Sequence, residues 1–216
     1  MAELTAPKEH EVAHHFDDLE QEFESHKMGM WLFLASEIMM FGALLVGGFI
    51  LMYRFPGAFA EGRAHLDLRL GAINTFFLLT SGFTMALAAM YGQRGDQAKV
   101  RRSLWLSLLF AAGFLVVKYF EYASKFHHGT LPGKAWTATG FTDPHAHVFF
   151  GFYFSATGLH VLHVLIGMGL MIWCLLVSRK VKFTRSYITP VELSGLYWAL
   201  IDLVWIVLFP LLYLVG

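Results

Sequence analysis

The segment SATGLHVLHVLIG, residues 155–167, places His160 and His163 three residues apart in a run otherwise suited to lipid. Imidazoles can hold haem, zinc or copper, so the pair raises metal chemistry first. Two histidines on one helix face cannot be both axial ligands of one haem, which takes them from opposite sides of the macrocycle. Zinc or copper would need further ligands, and the apolar runs offer only scattered carboxylates. The other grouped histidines, at 14–15, 127–128 and 145/147, all lie in polar segments. The single cysteine, Cys174, cannot supply a disulfide, an iron–sulfur cluster or a haem-attachment motif. The expectation is that His160 and His163 hydrogen-bond across a helix bundle and that the chain holds no metal.

Three acids interrupt apolar runs: Glu37 in LASEIMMFG, Glu121 in KYFEYAS and Asp202 in ALIDLVW. Acids at such depth mark functional or interior-facing positions, so proton handling and lipid contact are the chemistries to consider. Lys118 precedes Glu121 by three residues, which puts both on one face and predicts a pair. Glu37 has no basic neighbour within a turn; unless another helix answers it, burial favours its neutral form beside lipid or an apolar wall. Asn74 and Ser81 share a stripe with Thr84 beside it, and Gly82 lets another backbone approach. Trp198 and Trp205 bracket Asp202, and their indole N–H groups are expected to serve its carboxyl.

The elements that must position these residues are membrane helices. Hydrophobic residues make up 56% of the 216-residue chain and charged ones 15%, against about 25% charged in soluble domains. Five apolar runs, 28–53, 70–91, 103–124, 148–177 and 192–215, reach the roughly 20 residues needed to cross a bilayer. Runs of that length satisfy their backbone in lipid only as helices. The fold class is therefore an all-α, polytopic bundle of five transmembrane helices.

Residues 1–27 read as an acidic N-terminal arm and 28–216 as the membrane domain. Eight of the sixteen acids precede Lys27, and Phe16, Leu19 and Phe23 fall at helical spacing. That charge disfavours adsorption to anionic lipid and suits docking on protein. No cleavage site closes the first run, which is expected to be retained as a span. Ten lysines and arginines flank the spans on the N-terminal side and five on the other, placing the N-terminus in the cytoplasm. No basic patch exists to neutralise phosphates, which argues against nucleic acid.

Taken in order, ASEIMMFG, INTFFLLTSG, KYFEY, SATGLHVLHVLIG and ELSGLYWALIDLVWIVLF resemble subunit III of the haem-copper terminal oxidases, the cytochrome c oxidase polypeptide III family. The resemblance covers all five spans and is similar to the short bacterial form, without the two leading helices that wall a lipid cleft in the long form. It maps the family's first-helix acid onto Glu37, the histidine pair onto His160 and His163, and the last-helix acids onto Glu192 and Asp202. The family's Tyr-Trp-His-Phe is here Tyr197, Trp198, Ala199 and Leu200, so the histidine is missing.

The resemblance implies a subunit without redox centres of its own, in the bacterial cytoplasmic membrane, beside a catalytic subunit I that carries haem and copper. Implied partners are subunit I, other oxidase subunits, a respiratory supercomplex and membrane phospholipid. Implied roles are stabilising subunit I, holding lipid, supporting proton supply and easing oxygen access, with cytochrome c as electron donor. A quinol oxidase subunit or a nitric oxide reductase accessory subunit is the alternative within the fold. A small proton-coupled transporter is the rival from another class, opposed by the absence of an inverted repeat and of paired broken helices. A dihaem anchor is opposed by the histidine count.

Overall fold

The computed structural model describes residues 17–133, 136–139, 141–184 and 187–214. Among these residues six helices follow in order: α1 (Leu19–Arg54), α2 (Pro56–Ala64), α3 (Leu68–Gln93), α4 (Gln97–His127), α5 (Ala146–Val177) and α6 (Thr189–Tyr213). All but α2 are long and apolar enough to cross a membrane, and they coincide with the five expected spans.

The helix starts are set by side-chain caps on otherwise unpaired N–H groups. The carboxylates of Asp18, Asp67 and Asp96 accept from the backbone of Gln21, Arg69 and Lys99 at 2.7, 2.8 and 3.1 Å. The Asp18 cap means that α1 extends without a break through the latter part of the acidic segment, across the expected boundary at residue 27. Phe16 and the rest of the arm before Asp17 lie outside the described residues. Between α3 and α4, Gly95 takes φ +74°, the left-handed conformation that ends one helix and lets the next return antiparallel.

Helices α3 and α4 pack most extensively, and α6 lies against α1, α3 and α5. Hydroxyl groups join the first pair: Ser81 Oγ donates to the Ser107 carbonyl at 2.8 Å, and Thr84 Oγ1 lies 2.8 Å from Ser107 Oγ. Such small polar contacts let helices approach closely where the hydrophobic effect gives no preference for helix over lipid. The centre is aromatic, with Phe114, Phe149, Tyr153, Trp198 and Trp205 all buried. Helix α6 is the most enclosed span and α1 the most exposed.

Helix α2 was not anticipated. Pro56 at its first turn fixes a helical φ where the missing N–H is not needed, and Ala58 and Phe59 are buried. Its Glu61 clasps the α4–α5 connection, accepting from the N–H groups of Thr142 and Asp143 at 2.6 and 2.9 Å. Those two backbone donors, Thr142 foremost, hold the Glu61 carboxyl below its ordinary value.

Candidate functional site

Helix α5 is the organiser. Residues three apart on a helix diverge by about 60° around its axis, and that angle separates the tasks of its two histidines. His163 turns toward α1, where its Nε2 lies 3.0 Å from Oε2 of Glu37. Its Nδ1 lies 2.7 Å from the Leu159 carbonyl. A carbonyl can only accept, so Nδ1 carries a proton and the Nε2–Oε2 contact shares one further proton. The pair is either carboxylic acid with neutral imidazole or carboxylate with imidazolium. Both forms have zero net charge, the only total that a nearly dry site tolerates at low cost. Phe41 meets the ring edge-on at 5.0 Å, and Tyr197 donates to the His163 carbonyl at 3.3 Å.

The condition set for Glu37 in the sequence is thereby met. Another helix does answer it, from 126 positions further along the chain.

His160 turns the other way. It is fully buried, with Phe114 at 5.6 Å and Trp205 at 5.1 Å between ring centres. Neither ring nitrogen has a protein hydrogen-bond partner among the described residues. The hydrogen bond expected across the bundle is thus not made by His160; the aromatic rings of α4 and α6 enclose it instead.

Toward the other end of the bundle, Lys118, Glu121, Tyr153 and Tyr213 form a buried polar cluster. The expected pair is present, with Lys118 Nζ 2.9 Å from Glu121 Oε2 and both side chains almost wholly enclosed. Tyr153 and Tyr213 donate to Glu121 Oε1, the former at 2.8 Å. Lys118 also donates to Tyr213 Oη at 3.1 Å and sits 4.7 Å above the Trp205 ring. Three spans are tied together at one carboxylate. Spacing gave no sign of the two tyrosines.

Asp202 is placed differently from the expectation. Trp205 Nε1 donates to Thr75 Oγ1 at 3.0 Å, not to Asp202. Trp198 lies over Gly167 of α5, where a Cβ would come within 2.6 Å of its ring, and its Nε1 has no partner among the described residues. Among the described residues Asp202 Oδ1 is also unpartnered, as are both amide atoms of the fully buried Asn74. Packing on different helices draws the two indoles away from the carboxyl they bracket in sequence. Glu192 accepts from Gln93 Nε2 at 2.8 Å. Asp202 and Trp198 line a groove between α3 and α6, and Ala199, where the family pattern has histidine, is exposed on it.

Among the described residues no three His, Cys, Asp or Glu side chains are grouped as a metal site. The two intramembrane histidines do not fit a haem: rings enclose one, and Glu37 and a carbonyl occupy both nitrogens of the other.

The family profile of cytochrome c oxidase subunit III matches residues 12–216. The chain belongs to that family. Among its relatives in the subunit III family is quinol oxidase subunit 3 of Bacillus spizizenii, 31% identical over 88% of this chain and 86% of the relative. Cytochrome c oxidase subunit 3 of Corynebacterium diphtheriae is 30% identical over 87% of each chain. Haem-copper oxidase subunit I+III of Aeropyrum pernix is 29% identical over 88% of this chain and 22% of the relative. The protein is therefore a subunit III of the haem-copper oxidases, a multi-pass protein of the bacterial cytoplasmic membrane. Family membership displaces the transporter and dihaem-anchor readings.

Proposed function

We propose that this subunit III stabilises the catalytic subunit I of an oxidase that takes electrons from cytochrome c, and that it supports proton supply to it without a redox centre of its own. The observation that carries the reading is the Glu37–His163 pair. It holds one mobile proton between two groups in a membrane-embedded site at no change in net charge. Handing that proton on leaves the pair one unit negative until water or a neighbouring acid returns a proton, so release and refilling must be closely coupled. Both side chains are slightly open, 9% for His163 and 14% for Glu37.

Haem and copper belong, on this reading, to partner subunits and supply the reduction of oxygen there. Residues of this chain brace the neighbour and bias proton delivery; the exposed aromatic and aliphatic faces of α1 and α4 offer surface to lipid, partner subunits and diffusing oxygen. The Aeropyrum relative bears both subunit numbers in one name, which supports a place beside subunit I. Membership of a respiratory supercomplex and an arm that docks on protein belong to the same proposal.

A quinol donor is the second reading, favoured by the Bacillus relative, whose identity to this chain matches that of the cytochrome c oxidase relative. Purification in mild detergent, with an optical spectrum and steady-state oxygen uptake on each donor, decides between them. Turnover on reduced cytochrome c supports the first reading, and turnover on quinol alone overturns it.

A further inference from the structure

The groove between α3 and α6 encloses about 500 Å³ and opens on the outer face of the bundle. Its walls are unusually small for a lipid-facing surface: Gly82, Ala86 and Ala89 on α3, Gly195 and Ala199 on α6. Small residues at these intervals on neighbouring helices let a third helix approach closely.

That stripe alone would mean little without what lies beneath it. Asp202 lines the groove and is only 9% exposed, yet its Oδ1 has no hydrogen-bond partner among the described residues. The Asp202 carboxyl lies against Gly82, where any Cβ would collide with Oδ2. Asp202 is thirteen residues into α6, which starts at Thr189. That is about 20 Å along the axis, near the middle of a hydrocarbon layer about 30 Å thick. The charged lining residues, Lys27 and Glu192, sit at the groove's other end, and Glu192 is already bonded to Gln93.

Depth selects the occupant. Phospholipid acyl chains carry no hydrogen-bonding group at mid-membrane, so they would leave the Asp202 carboxyl unanswered. A second copy in a two-fold arrangement would set one concave groove against another. A transmembrane helix fills the groove and can carry a polar side chain at the required depth.

We propose that the α3–α6 groove receives a transmembrane helix of another oxidase subunit, which presents a Ser, Thr, Asn, Gln or His side chain to Asp202. The inference rests on the chain's place in a haem-copper oxidase and is independent of the electron donor and of any part in proton supply.

The test uses the complete complex in native membranes, with a photoreactive benzophenone amino acid in place of Leu203. Leu203 is 58% exposed, lines the groove and follows Asp202 directly. After illumination, mass spectrometry identifies the adduct. The expected product is a transmembrane peptide of a different subunit with one of those polar residues near its middle. Adducts confined to lipid, to a second copy of this chain or to neither overturn the proposal.

Two substitutions then probe the contact in complexes whose haem and copper contents are verified. Ala199→Phe, at an exposed position, should abolish the adduct by filling the groove. Asp202→Leu should lower it about threefold to tenfold, the range one interhelical hydrogen bond supports, while Asp202→Asn keeps it. An undiminished adduct in Asp202→Leu removes the hydrogen bond from the proposal. Loss of the haem-copper subunit from the unsubstituted preparation would instead count against the reading of the complex itself.

Discussion

Glu37 and His163 meet across α1 and α5 with 3.0 Å between Oε2 and Nε2, while Nδ1 of the same ring is bound to the Leu159 carbonyl. One proton is therefore shared, and the substitutions that test it differ in what they leave behind. Glu37→Gln can still donate an N–H to Nε2, so assembly should survive with little loss of thermal stability. Glu37→Leu leaves a nearly buried nitrogen unpaired and should cost about 1–3 kcal/mol. Infrared difference spectra of the complex recorded during turnover should show a carboxyl band from this pair that vanishes in Glu37→Gln. An identical spectrum in both proteins would remove Glu37 from proton handling.

The Lys118–Glu121 pair predicts strong non-additivity. Removing either partner leaves a buried charge with its hydrogen bonds broken, and Lys118→Met or Glu121→Leu should each destabilise by about 3–5 kcal/mol. The double substitution should recover most of that loss, because no lone charge remains. Tyr213→Phe should have a smaller effect, since Tyr153 still donates to Glu121. The measurement is a double-mutant cycle from denaturation in detergent. Additive losses would show that the two groups do not form a functional pair.

Glu61 provides the pH-dependent contact outside the membrane. Its folded-state value is lowered from 4.5 by the backbone N–H groups of Thr142 and Asp143. The clasp is thus fully present above pH 4.5 and is lost as pH falls through the lower folded value. Exchange of the Thr142 and Asp143 amides, corrected for intrinsic rates, should accelerate only on that acid side. Glu61→Ala should accelerate it at neutral pH as well. Protection that stays unchanged throughout an acid titration of the unsubstituted chain would mean that another contact fixes the loop.

What could be read from the sequence divides along one physical line. The spans were legible because about 20 apolar residues in lipid have little choice but helix. The Lys118–Glu121 pair was legible because both residues belong to one helix and the spacing sets their distance. Helix α2 escaped because its nine residues carry little hydropathic signal; Pro56 at its start was the available clue. Partners between helices were not legible. The join of Glu37 to His163, the two tyrosines on Glu121 and the turn of Trp205 toward Thr75 depend on the depth and rotation of separate helices. Spacing along one helix cannot give either quantity. His160 shows the same limit, since its identity suggested hydrogen bonding while its neighbours turned out to be rings.

The broadest prediction concerns the whole subunit. Removal from the complex should leave immediate oxygen reduction largely intact, because the Glu37–His163 pair and the Lys118–Glu121 cluster can move or hold protons and brace a neighbour but cannot carry electrons. Two properties should change instead. Activity should decay during turnover as subunit I loses the packing of the five spans. The pH dependence of turnover should shift once a membrane-embedded proton donor is gone, and Glu37→Gln should reproduce the pH effect without the decay. That separation is informative, because bracing belongs to the whole bundle while proton supply belongs to one pair. The measurement is steady-state oxygen uptake from pH 6 to pH 9 on depleted, reconstituted and Glu37→Gln complexes, with haem and copper contents shown to be equal. Complete and immediate loss of turnover on depletion would give this chain an indispensable chemical role, and an unchanged pH profile in the Glu37→Gln complex would separate the pair from proton delivery.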